Sequence, residues 1–170
     1  MKIYARISEI SVALIIALGV AQSASAKDLS NRLGVGFSNQ FGISEEIPSI
    51  QMRYYPSAGY GLSAALGVDT EKDHSRFGFM AKVIKVIFFE DNLNFYTGAS
   101  AALVSQETTP NKQDSGFDLA GIVGVEFFMP GLENLGFSFE TGVGVTSIAS
   151  EVRFRTIGDH PLRAGIIFYF

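Results

Sequence analysis

From about residue 31 onward, large apolar side chains alternate with Gly, Ser or charged residues in runs of roughly ten, the length of a membrane-crossing β-strand. A period of two is the repeat of a strand whose two faces meet different surroundings. Leu33, Val35 and Phe37 alternate with Gly34, Gly36 and Ser38. Phe117, Leu119, Val123, Val125 and Phe127 alternate with Asp118, Ala120, Gly124 and Glu126, and Leu135, Phe137, Phe139, Val143 and Val145 with Gly136, Ser138, Glu140, Gly142 and Gly144. The last run sets Leu162, Ile166, Phe168 and Phe170 against Arg163, Gly165 and Tyr169. Gly, Ser and several full charges make poor solvent-facing strands for a water-soluble barrel. The pattern therefore predicts the inverted arrangement, apolar outward and polar inward.

No stretch beyond residue 26 keeps a 3.6-residue apolar period for three turns, so the expected fold is all-β. Turn signals divide the chain into strands at 31–41, 48–56, 59–68, 75–89, 92–105, 115–128, 134–146 and 161–170. An even count suits an eight-stranded antiparallel up-and-down transmembrane β-barrel, and the links alternate between tight and longer polar ones, as such barrels require. The fourth strand is the least regular. Val83 to Phe89 is nearly all apolar, and Lys85 shares parity with Phe77, Phe79 and Ala81. A bulge, or Lys85 reaching to a membrane interface, accommodates it.

Residues 1–26 read as an address: Lys2 and Arg6, an apolar run from Ile10 to Val20, and the small-residue ending Ala24-Ser25-Ala26. The apolar run is about half of the ~20 residues that a spanning helix needs, so a cleaved signal peptide is expected and not an anchor. Lys27 stands where a lipoprotein has Cys. Residues 27–170 then form the single barrel domain, with a net charge of −5 in place of −4 once Lys2, Arg6 and Glu9 are removed. That charge speaks against nucleic acid as a partner. With no Cys, thiolate metal sites and disulfides are excluded.

Aromatic positions give a separate criterion. With the tight-turn end taken as one rim, most of the Phe and Tyr residues fall near it, including Tyr54, Tyr60, Phe95, Phe127 and Phe137, together with Tyr55, Tyr96, Phe128 and Tyr169. A thinner set, Phe37, Phe41, Phe77, Phe79 and Phe117, falls toward the other end. Two such girdles mark the lipid–water boundaries of a barrel.

The ending Leu162-Arg163-Ala164-Gly165-Ile166-Ile167-Phe168-Tyr169-Phe170 resembles the C-terminal strand that the outer-membrane assembly machinery recognises, with Phe168 and Phe170 as the assembly signal. With the signal peptide and eight strands, the chain from residue 27 is similar to the small outer-membrane β-barrel family that includes the OmpA transmembrane domain and OmpX. The resemblance is one of architecture. It implies a Gram-negative cell envelope, both termini in the periplasm, barrel assembly machinery as a partner in biogenesis, and outer-membrane lipid and lipopolysaccharide as surroundings. No peptidoglycan-binding domain of the OmpA kind is expected after the last strand.

Inward parity brings Arg53, Lys82, Glu126, Glu140 and Arg163 into one narrow lumen. Eight strands leave an interior just wide enough for side chains to fill, so these charges are expected to pair as a plug, with Glu126 and Glu140 facing Arg163 and Lys82. Ion conduction, as in a small channel of the porin kind, is the alternative. His74 and His160 fall at the edges of outside loops, and Ser147, Ser150 and Glu151 share the loop of His160. A lipid A-modifying barrel enzyme built on such residues is a second alternative, but Pro161 and Leu162 follow His160 with no adjacent Ser. The Gly-x-Gly pairs 34/36, 59/61 and 142/144 precede no helix, so they hold no phosphate-binding turn. The acidic loop residues Glu45, Glu46, Asp69, Asp73 and Asp114 lack calcium-loop spacing. Arg153 and Arg155 around Phe154 are placed for lipid phosphate. No catalytic residue, metal or cofactor is expected. The expected role is structural, or surface interaction with a ligand through the loops, in the outer membrane.

Overall fold

A two-faced strand leaves its backbone N–H and C=O groups in the plane of the sheet, where only neighbouring strands can satisfy them. The computed structural model describes residues 28–43, 45–72, 74–109, 112–148, 151–156 and 162–170, and the expected signal peptide lies outside these residues. Its strands are β1 (Arg32–Ile43), β2 (Glu45–Ser57), β3 (Tyr60–Asp69), β4 (Arg76–Glu90), β5 (Leu93–Thr109), β6 (Lys112–Phe128), β7 (Leu135–Ile148), β8 (Glu151–Thr156) and β9 (Arg163–Tyr169). Each of β1 to β7 pairs antiparallel with the next, and β9 pairs with both β1 and β7. Eight staves thus close into a barrel with no free edge at the short-turn end.

Three segments read as links are strand. β1 and β2 continue to the pair Ile43–Glu45, and β5 and β6 to Thr109–Lys112, so both hairpins rise well beyond the expected strand ends. The segment between the seventh and last strands contains β8, which pairs with β7 from Ile148–Glu151 to Val143–Thr156. β9 then resumes the pairing lower down, from Glu140–Arg163. β8 and β9 thus lie along the same edge of β7 as parts of one stave, with residues 157–161 between them outside the described residues.

The polarity is inverted as the alternation predicts. Phe37 is 71 % exposed and Leu103 62 %, whereas Arg53 and Glu126 are 0 % exposed. Lys85 faces outward beside Val83, and a register shift between Val86 and Phe88 leaves Ile87, Phe88 and Phe89 all exposed. The bulge that the sequence left open for this strand is therefore present.

The interior is layered. Along β4 the inward residues Met80, Lys82 and Ile84 place a charge between two apolar levels. Toward the long-loop end Phe41, Ile47, Ala65, Met80 and Ala102 pack together. At the other end Leu29, Tyr55, Ile84, Phe128, Ile167 and Tyr169 do the same. Leu29 enters the barrel because Asn31 adopts φ 60, a left-handed turn that Asn tolerates, and the Asn31 amide donates to the Tyr55 carbonyl at 2.7 Å.

Phe41 was expected in the outer girdle, and the structure turns it inward to 2 % exposure. The register slips between Ser38 and Phe41, and one displaced residue moves every following side chain to the other face. Its ring fits because Gly67 and Gly78 lie beneath it. A Cβ on Gly78 would stand 2.8 Å from the ring. Gly78→Ala should accordingly lower stability by about 1–3 kcal/mol, the usual cost of overpacking, measured by urea titration of the refolded protein in micelles. An unchanged midpoint would mean that the ring yields freely.

Candidate functional site: the charged lumen

Inward parity on four staves brings two cations and two anions to one level. Arg53 from β2 donates through Nη1 to Glu126 Oε1 on β6 and through Nη2 to Glu140 Oε1 on β7, each at 3.1 Å. Lys82 from β4 pairs with Glu140 Oε2 and donates to Gln40 Oε1 at 2.9 Å. All four charged groups are buried, a condition that is tolerated only when each finds partners.

Three tyrosines complete the coordination. The hydroxyls of Tyr55 and Tyr169 donate to Glu126 at 2.8 and 2.5 Å, and that of Tyr96 donates to Glu140 at 2.6 Å. The Arg53 guanidinium also lies over the Tyr96 ring, 5.3 Å from its centroid. Sequence reasoning placed these tyrosines in the outer girdle because they lie near the rim. Their parity was the available signal, since Tyr55 follows Arg53 by two residues and Tyr96 follows Asn94 by two.

Arg163 takes a different place from the one expected. It lies on the inner wall, but its nearest acidic partner is Asp118, 3.8 Å away, and not Glu126 or Glu140. Asp118 Oδ2 accepts from Thr146 Oγ1 at 2.8 Å, while Asp118 Oδ1 and the Nε and Nη1 atoms of Arg163 have no hydrogen-bond partner among the described residues. The register explains the difference. Glu140 is directly opposite Arg163, yet both its oxygens are already taken by Arg53, Lys82 and Tyr96. Among the described residues, the six buried charged side chains are three cations and three anions.

The expected girdle residues Tyr54, Tyr60, Phe95, Phe127 and Phe137 all point outward, and Phe88 stacks on Phe95 at 5.0 Å. Phe168 and Phe170 are exposed on the outer face, 6.4 Å apart. His74 is exposed at the long-loop end, whereas His160 and Ser150 lie outside the described residues. Phe154 projects outward at 75 % exposure, Arg153 pairs with Glu151, and Arg155 Nε contacts Thr146 Oγ1 at 3.4 Å. Among the described residues no group of three or more acidic or His side chains is arranged to hold a metal ion.

The structure is similar to the crystal structure of the N-terminal β-barrel domain of Pseudomonas aeruginosa OprF. What they share is the fold. The TM-score is 0.56 at 12 % sequence identity, over 85 % of this chain and 100 % of that one. No family model matches the chain, and no curated protein matches it. The closed eight-stave architecture is thus that of the OprF barrel domain, whose side chains are largely different.

Two predictions come from the electrostatics. Arg53→Ala leaves Glu126 and Glu140 without their shared cation and should cost about 3–5 kcal/mol, whereas Arg163→Ala breaks only a longer pair and should cost less. Urea unfolding in micelles measures both, and equal losses would refute the separation between Arg53 and Arg163. At the long-loop rim, the hydrogen bond from Arg76 and then the one from the Glu71 amide hold the Asp69 carboxyl below its ordinary range. The Asp69–Arg76 pair therefore persists above the ordinary carboxylate range and is lost as pH falls through the lowered value. Carboxyl chemical-shift titration should find that depressed midpoint, and Arg76→Ala should raise it.

Proposed function

We propose that this protein is an integral outer-membrane β-barrel, exported through a signal peptide cleaved after Ala26, with a structural or surface-interaction role and no enzymatic activity. One observation carries the reading. The outer wall is apolar over its whole girth while charges fill the inside, an arrangement that water penalises and a bilayer favours. The outward girdle of Tyr54, Tyr60, Phe95, Phe127 and Phe137 supports it, as does the fold shared with the OprF domain.

In this reading outer-membrane lipid and lipopolysaccharide surround the wall. Phe168 and Phe170 present the signal for the assembly machinery, and the long-loop hairpins face outward, where they meet surface ligands. The layered lumen favours a closed barrel over a conducting one, because Arg53, Lys82, Glu126 and Glu140 neutralise each other between two apolar levels. A pore needs an unobstructed polar path, and eight staves leave room for little more than the side chains.

The test is membrane fractionation followed by gel mobility of unheated and boiled samples. A protein recovered with the outer membrane whose band shifts on boiling is the expected outcome. Recovery from the soluble periplasm without detergent, and no shift, would overturn the reading.

A further inference from the structure

The outer wall over β3 to β6 is hollow. Ala81, Ala99, Ala101 and Gly121 lie side by side on three staves and project a methyl group or nothing. Leu62, Val83 and Leu119 stand around them, all three exposed on the outer face. The depression measures about 770 Å³ and lies open along the outer wall.

An outward-facing cation adjoins it. Lys85 is the next outward residue after Val83 on β4, about 7 Å farther toward the short-turn end. Its cross-strand neighbours are Tyr60 and Thr97. The side chain is exposed, and no ion pair joins it to a described acidic residue. An ammonium on an apolar wall requires an anionic or aqueous contact at the end of its stem.

We propose that this wall binds one glycerophospholipid of the periplasmic leaflet, with an acyl chain in the Ala81–Ala99–Ala101–Gly121 hollow and the phosphate on Lys85. The inference rests on the membrane reading above and deepens it. Direction selects the occupant. In a barrel whose short turns face the periplasm, a periplasmic-leaflet lipid has its head toward the short-turn rim and its tail toward mid-membrane, which is the order of Lys85 and the hollow. Lipopolysaccharide enters from the opposite leaflet with its head at the other end. Tyr60, exposed beside Lys85, supplies the interfacial aromatic that commonly marks headgroup level.

The experiment uses the full chain, folded in a zwitterionic detergent and loaded with phosphatidylglycerol, with retained lipid counted by native mass spectrometry. The wild-type barrel should keep one lipid. Lys85→Gln should reduce retention about fivefold, the ratio that ~1 kcal/mol per basic residue at an anionic lipid surface represents. Ala101→Leu, which narrows the hollow and leaves Lys85 in place, should also reduce retention. Undiminished retention in both variants would overturn the site, and displacement of the phospholipid by an equal amount of lipopolysaccharide would overturn the leaflet assignment. Every sample is also checked for the mobility shift on boiling. Loss of lipid with the shift intact concerns this site alone, whereas a wild-type chain without the shift rejects the membrane reading beneath it.

Discussion

Arg53 is held by two glutamates from neighbouring staves, and much of the interior is arranged around that contact. The guanidinium reaches across from β2 to β6 and β7, and its planar fork offers separate donors to Glu126 and Glu140. Each glutamate retains lone pairs that must also be filled, and these fix Tyr55, Tyr169, Tyr96 and Lys82 on β2, β9, β5 and β4. Six of the eight staves are thereby tied through one small cluster. Burying charge is costly, and here the cost is offset by near-complete mutual coordination.

The apolar levels on either side make that coordination effective. Water reaching the carboxylates would weaken every contact by screening it, and the two packed layers limit that access. Phe41 and Met80 lie on one side, and Leu29, Ile84 and Phe128 on the other. The Asn31 turn and the slipped register after Ser38 are the local backbone departures that bring Leu29 and Phe41 into the interior.

Much of this architecture was legible in the sequence, because period-two alternation fixes both the strands and the face each residue occupies. Arg53, Lys82, Glu126, Glu140 and Arg163 were assigned to the inner wall by parity, and all five are there. Which of them touch was not legible. Pairing depends on register and on side-chain reach, and Arg163 faces Glu140 only after that carboxylate is already occupied. Tyr55, Tyr96 and Tyr169 were misassigned by distance from the rim, although their parity was correct evidence. Phe41 was lost to a bulge, which leaves no periodic trace. β8 did carry a signal, with Val152 and Phe154 alternating with Arg153 and Arg155, but its neighbouring Ser, Gly and Pro residues read as a loop.

The short pairing of β9 sets where the barrel is weakest. Among the described residues β9 meets β1 from Gly34–Tyr169 to Ser38–Gly165, with Leu33 and Phe170 exchanging backbone hydrogen bonds at the end, and meets β7 from Leu135–Phe168 to Glu140–Arg163, while β5 and β6 pair from Leu93–Phe127 to Thr109–Lys112 with one register shift after Glu107. A cylinder under load parts along its shortest row of stitches. Among the described residues that row is the line where the first and last staves meet, which makes it the joint expected to yield first. The inward anchors Tyr169 and Ile167 act there as rivets, holding by side chains what the backbone holds over only a few residues.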